Sequence, residues 1–352
     1  MLNASYTRYP LHFIRPSGTS RGILHSKPAW FLRLQHDEGQ TGTGEVSLIP
    51  GLSAESPSEV ESSLEELCRS INEDHADPLS LKLPPGIRFA LECARQDLKE
   101  GGNQLLFPSA FTAGTEGIPI NGLIWMGDPS FMKQQIRDKL DRGFRVLKMK
   151  VGALETEREV QVVSWIRSRF GNRTLELRLD ANGAWTPEEA IQKMELFAPF
   201  GIHSLEQPIV PGQWEALDRL CRDAPFPVAL DEELIGLDPE SEGARLMETV
   251  HSHYLILKPG LLGGFAVCSR WIDLAETAGT GWWITSALES AVGLSAIAQW
   301  TFQKNSPLTQ GLGTGSIYRN NFSSPLTMEG SQLCYREETG WDLSPLYGRS
   351  AC

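Results

Sequence analysis

The sequence predicts an α/β barrel preceded by a small α+β domain, and two observations point there. From Ile118 onward, strand-like and helix-like stretches alternate strictly, eight candidate strands with seven candidate helices between them. That is the pattern of a parallel sheet, closed into a barrel or left open between two helical layers. The second observation chooses between these. Successive apolar runs end in charge, reading Lys148 and Lys150, Asp180, Glu206, Asp231 and Lys258 in chain order. Only a closed ring brings five such strand ends around one centre.

Residues up to about Thr115 read as the α+β domain. Tyr9 to Ile14 and Ala29 to Leu34 are strand-like, and the turn at His36-Asp37-Glu38-Gly39 returns the chain toward Gly42 to Val46. Arg15 to Gly22, small, basic and polar, is expected as a loop that is either merely exposed or moves over something. Helices are expected over Pro57 to Asn72 and Pro85 to Glu100, each beginning near a proline, whose missing N–H costs nothing in a first turn. After the linker Ala113 to Gly117, strands are expected at Ile118 to Trp125, Arg145 to Lys150, Glu176 to Asp180, Ser204 to Glu206, Pro227 to Asp231, Tyr254 to Leu257, Gly281 to Ile284 and Leu308 to Leu312. Helices fill most gaps, over 129–142, 154–170, 187–200, 214–222, 240–249, 264–278 and 291–300. Three parts result: a domain over 1–115, a barrel over 116–320, and a segment over 321–352, broken by Pro and Gly, that returns to the first domain.

The 352 residues suffice for one large barrel or two ordinary domains. The apolar fraction of 41% and charged fraction of 22% are those of a globular protein in water. A net charge of −12 argues against general affinity for nucleic acid or anionic membrane, while leaving room for an anionic small molecule in a locally positive site. Six scattered cysteines (Cys68, Cys93, Cys221, Cys268, Cys334, Cys352), without metal-ligand spacing, read as packing thiols of a reducing compartment. No leader-like or membrane-length apolar run is present, so the cytoplasm is the expected location. The oligomeric state stays open.

Lys148 and Lys150, two positions apart on one strand, point to the same side. Either they snorkel to solvent at a sheet edge, or they stand in a closed site, where lost hydration favours the neutral amine and so a proton acceptor. What recurs downstream favours the site. Asp180, Glu206 and Asp231 are 26 and 25 residues apart, the length of a strand, a helix and two loops. Each alone would pass for an ordinary cap; three in register can converge on one hard divalent cation flanked by Lys150 and Lys258. Oxygen ligation without a nearby His or Cys favours magnesium, with manganese as the other candidate. The chemistry such a site serves is proton transfer through an enediolate.

Arg178 shares the face of Asp180 and could pair with a carboxylate, hold a lysine neutral by like-charge repulsion, or only fill the barrel as a salt bridge. Asn182 and Glu232 are expected to orient ligands. Backbone amides around Ser286, Ala287, Gly311 and Gly313 are candidates for gripping a substrate carboxylate. The run Gly311-Leu312-Gly313-Thr314-Gly315 lacks the helix and acidic residue of a dinucleotide site. His203, His251 and His253 are expected to be structural, and no nucleophile elbow or P-loop occurs.

At these residues the sequence resembles the enolase superfamily, in its muconate-lactonizing-enzyme-like branch. The marks are Lys148-Met149-Lys150, Asp180-Ala181-Asn182, Glu206-Gln207-Pro208, Asp231-Glu232 and Lys258-Pro259. The stretches Ile120 to Gly127, Thr285 to Leu294 and Gln310 to Gly315 resemble the o-succinylbenzoate synthase family within it. The resemblance implies a modified TIM-type (β/α)7β barrel with an α+β N-terminal capping domain. It also implies a lyase that removes water, with syn geometry, from 2-succinyl-6-hydroxy-2,4-cyclohexadiene-1-carboxylate in menaquinone biosynthesis. Carried over, Lys150 takes the proton α to the carboxylate and returns it to the departing hydroxyl, while Lys258 stabilises the enediolate. Lys148 keeps the base in register beside the carboxylate, and Arg15 to Lys27 forms a mobile loop. The paired acidic motif of dipeptide epimerases is replaced by Gly311-Leu312-Gly313, which leaves a free ammonium without a partner. The nearest rival is a racemase of N-acylated amino acids; others are a non-catalytic metal-binding barrel and, more distantly, a metal-independent hydrolase.

Overall fold

The computed structural model describes residues 2–19, 22–73, 81–125 and 127–347, and the side chains of 16–23 lie outside that description. Its strands are β1 (Leu2–Arg8), β2 (Leu11–Thr19), β3 (Gly22–Lys27), β4 (Ala29–His36), β5 (Thr41–Ser47), β6 (Ile118–Pro119), β7 (Gly122–Ile124), β8 (Val146–Lys150), β9 (Glu176–Asp180), β10 (Ser204–Glu206), β11 (Val228–Leu230), β12 (Tyr254–Leu257), β13 (Gly281–Ile284), β14 (Leu326–Glu329) and β15 (Gln332–Tyr335).

β1, β4 and β5 make an antiparallel sheet, with β4 central and two helices packed on it. The first helix, Pro57–Asn72, starts on a capping box in which the Ser56 hydroxyl accepts from the Glu59 amide while the Glu59 carboxylate accepts from the Ser56 amide. The second, Pro85–Lys99, lies so close to β5 that Gly42 and Gly44 are obligatory: a Cβ on Gly44 would stand 1.9 Å from the Ala90 carbonyl oxygen.

β7 to β13 form one parallel sheet in sequential order, with helices between successive strands. Each of β8 to β13 is buried through its centre, since the barrel interior covers one face and the helices cover the other. The expected eighth strand over Leu308 to Leu312 is reduced to two bridges. Gln310 pairs with Ile120 and Gly311 with Thr285, closing the ring through Asn121 N–H to Gln310 O (2.9 Å) and Gly311 N–H to Ile284 O (2.8 Å). A Cβ at Gly311 would come 2.4 Å from Thr285 Oγ1, so only glycine closes the ring this tightly. The expected strand over Ile118 to Trp125 is split: β6 leaves the barrel to pair with β15 of the β14–β15 hairpin, and only β7 enters the ring.

Three further expectations are corrected. β1 was not foreseen. Arg15 to Gly22 is not a loop but most of the turnward half of the β2–β3 hairpin, in which Ser17 pairs with Leu24; Ser20 and Arg21 lie outside the described residues, as do Met126 and Cys352. Lys27, placed at the end of a mobile loop, is 1% exposed and donates to Ser47 Oγ. The chain after the barrel packs against the β2–β3 hairpin and the first sheet through Tyr318, Phe322 and Leu346 on Leu11, Phe13 and Phe31. Glu45 of β5 seals the other junction, accepting from the Ser290 and Gly293 amides (2.9 Å each) at the start of the helix Ala291–Lys304. The five described cysteines are free and buried, and among the described residues no helix is long and apolar enough to cross a membrane.

Because β5 has no room for a methyl group, Gly44→Ala is expected to destabilise the protein by about 1–3 kcal/mol. A urea midpoint equal to that of the unchanged protein would contradict the close approach.

Candidate active site

The parallel register sets the site. Lys150 of β8 pairs with Asp180 of β9, and Asp180 with Glu206 of β10, so three strand ends lie level. Asp231 and Lys258 directly follow β11 and β12. In the eight-membered ring β8 and β12 have three neighbours between them either way round, which sets Lys150 and Lys258 across the barrel from each other.

The lysines rest on the acids. Lys148 Nζ donates to both Glu206 oxygens (2.8 and 2.9 Å) and stands 2.9 Å from Asp180 Oδ2. Lys150 Nζ donates to Asp180 Oδ2 (2.7 Å) and to Asn182 Oδ1. Lys258 Nζ donates to Asp231 Oδ2. Asp180, Glu206 and Asp231 are each at most 1% exposed. Burial and the neighbouring Asp180 and Asp231 charges push the Glu206 carboxyl up to about 8. Asp180 goes the other way: burial would raise it, but the Lys148 and Lys150 ammonium groups hold it well below the usual range. Burial alone would also lower Lys148 and Lys258. Asp180 and Glu206 reverse that for Lys148, and Asp231 and Glu232 for Lys258, so both lysines lie above their ordinary value. For Lys148 the neutral amine expected of a closed site is corrected, because the carboxylates outweigh lost hydration, while Lys258 stays the cation it is expected to be.

Lys148, Lys150 and Lys258 all face one cavity of about 860 Å³, counted out to its open mouth. Asn182, Glu232, Ser286, Ala287, Gly311 and Gly313 line it as well. Asn182, at φ +47, donates from Nδ2 to Glu232 Oε1 (2.9 Å) and from its amide to Asp180 Oδ1 (3.1 Å), linking two strand ends. Arg178 is not part of this group. It fills the barrel one layer below, bonded to Glu176 Oε1 (2.7 Å) and the Thr309 carbonyl (2.9 Å), with its guanidinium 4.1 Å from the Trp283 ring centre. Three of the amides expected to grip a substrate are engaged: Ala287 N–H by Glu289 Oε2 (2.7 Å), Ser286 N–H by the Gly311 carbonyl (3.2 Å) and Gly311 N–H by Ile284. What Ser286 offers the cavity is its hydroxyl, 2.6 Å from that of Thr314.

The apolar wall was missed. Ile49 and Leu52, from the loop after β5, meet Leu123, Trp125 and Leu288 around the mouth. Nothing in Ile49-Pro50-Gly51-Leu52 marks it as cavity lining, since its neighbours are supplied by distant segments. His203 stacks on Tyr254 (5.0 Å between centroids) at the barrel floor, and His251 pairs with Asp218 on the surface (2.8 Å).

Residues 132–341 match the family model described as enolase C-terminal domain-like. The o-succinylbenzoate synthase of Desulfotalea psychrophila (strain LSv54) is 44% identical over 364 residues, covering 94% of this chain and 98% of that protein. The crystal structure of MenC from Desulfotalea psychrophila LSv54 superposes with a TM-score of 0.85 at 41% identity, covering 95% and 99% of the two chains. The substrate-liganded L-Ala-D/L-Glu epimerase of Bacillus subtilis shares the fold, with a TM-score of 0.82 at 21% identity over 96% and 98%. The chain belongs to the enolase superfamily, in its muconate-lactonizing-enzyme-like branch. Within that branch it groups with the o-succinylbenzoate synthases.

Enzymes of this superfamily use a divalent metal ion. Among the described residues no three of His, Cys, Asp and Glu form a finished cage, and ammonium groups share the carboxylate oxygens. The donor set nevertheless fits a hard cation. Three buried carboxylates at or just past neighbouring strand ends offer only oxygen donors, and burial together with the charges of Asp180 and Asp231 raises Glu206, which is a demand for positive charge. Burial and the neighbouring acids raise Glu206 in the cation-free protein, and a bound cation favours its ionised form, so cation uptake is expected to release a proton there. Affinity for a divalent ion is therefore expected to tighten between pH 6 and pH 8.5, with proton release visible by calorimetry in buffers of different ionisation enthalpy. Uptake that is independent of pH and of buffer would refute this.

Proposed function

We propose that the chain is a lyase that removes water from 2-succinyl-6-hydroxy-2,4-cyclohexadiene-1-carboxylate to form 2-succinylbenzoate, a step of menaquinone biosynthesis. The observation that carries this beyond family membership is that Lys150 and Lys258 face one cavity from opposite sides of the barrel, above three buried carboxylates. Asp180, Glu206 and Asp231 would hold a magnesium ion, whose charge offsets that of the substrate carboxylate as it becomes an enediolate. Lys150 is the base. It removes the proton α to the carboxylate and, since proton and hydroxyl leave from one face in a syn elimination, the same ammonium protonates the departing oxygen. Lys258 faces the other side as a cation, held so by Asp231. Lys148, paired with both Asp180 and Glu206, offsets their mutual repulsion and keeps the base in register.

The apolar mouth formed by Ile49, Leu52, Leu123, Trp125 and Leu288 suits a carbocyclic ring, while the lysines suit its carboxylates. We assign residues 1–115 to the cap, 116–320 to the barrel and 321–352 to the returning segment. Purified protein with magnesium is expected to consume the absorbance of the cyclohexadiene, and Lys150→Ala to slow that loss by about 10²–10⁴-fold. An unchanged rate in the variant would remove Lys150 as base. Deuterium entry into N-succinyl amino acids in deuterated water, with no loss of cyclohexadiene, would replace dehydration by racemisation.

A further inference from the structure

We infer that Gln207 is a positioning residue that sets the spacing of Asp180, Glu206 and Asp231 for the cation; this rests on the metal reading above. The reason is that one residue ties together the three loops carrying those acids. Gln207 directly follows Glu206 and is fully buried. Its carbonyl accepts from the Gly183 amide at 2.7 Å, in the loop that follows Asp180. Its side-chain oxygen accepts from the amides of Asp231 itself (3.2 Å) and of Glu233 (3.1 Å). Its side-chain nitrogen donates to Glu233 Oε2 (3.1 Å) and to the Ile209 carbonyl (3.0 Å). Glu233 in turn accepts from the Gly212 amide at 2.8 Å. Both oxygen lone pairs and both N–H groups of the amide are thereby used, so the side chain has one orientation and no slack.

The backbone points to the same role. Gln207 lies at φ +39, in the left-handed region that a non-glycine residue occupies only under strain. Released to ordinary φ, it would swing its carbonyl away from Gly183 and its amide group away from Asp231 together. A side chain that only filled space would need neither the strain nor four bonds. Met has nearly the volume of Gln and makes none of these bonds; Asn has the same groups but is one methylene too short to span from β10 to the loop after β11.

The test is magnesium chloride titrated into the whole protein, read by calorimetry and by the shift of the melting midpoint. Gln207→Met and Gln207→Asn are each expected to bind magnesium about 10–100-fold more weakly. Their circular dichroism should match the unchanged protein without cation, which separates positioning from a general loss of fold. Affinity within twofold of the unchanged protein, in either variant that folds, overturns the inference and leaves the metal reading intact. An unchanged protein that takes up no magnesium overturns the metal reading and this inference with it.

Discussion

Three carboxylates packed at the top of a barrel need positive charge packed with them. Asp180, Glu206 and Asp231 have almost no contact with solvent, and an isolated buried carboxylate costs far more than any hydrogen bond returns. Lys148, Lys150 and Lys258 meet that constraint, each resting on at least one of the acids. The parallel register makes the arrangement possible, since strands aligned residue for residue deliver Lys150, Asp180 and Glu206 at one height.

The layers below and above answer to the same constraint. Beneath the acids, Arg178 and Trp283, both buried and stacked on each other, fill the barrel. Above them, the loop after β5 brings Ile49 and Leu52 into the cavity wall, and the seating of the first sheet uses a further buried acid. Glu45 is tolerated without solvent because it accepts from amides at a helix start, where the backbone supplies partial positive charge. The glycines of β5 let the second helix approach, which holds the strand bearing Glu45 in place. A charged floor and an apolar rim thus come from different parts of the chain, as the proposed substrate, an anionic ring, requires.

The barrel strands were legible because their two faces are both covered, which leaves an apolar run, and because five of the runs, those of β8 to β12, stop at a charge. Glu176–Asp180, Ser204–Glu206, Tyr254–Leu257 and Gly281–Ile284 were foreseen to the residue. The β2–β3 hairpin was not, since β2 carries Pro16 and Gly18 and its pairing shifts register between His12 and Ser17. A two-stranded ribbon tolerates proline and a bulge that a central strand would exclude. The closing segment over Leu308 to Leu312 is expected as a full strand, and the geometry of closure limits it to two bridges, at Gln310 and Gly311. Ala287 was offered as a free amide because Glu289, two residues on, gave no sign of turning back to take it.

By itself the sequence determined the alternation of elements and the kind of charge at each strand end, because both follow from local periodicity and from what can be buried. Which charges touch is another matter. Lys148 reaching Glu206, Arg178 reaching the Thr309 carbonyl instead of joining the acids, and Gln207 binding the Asp231 loop all join segments of chain that spacing along the sequence does not order. Those pairings were decided by strand register and ring closure, which place one end of every strand in a volume small enough that neighbouring charges set one another's protonation.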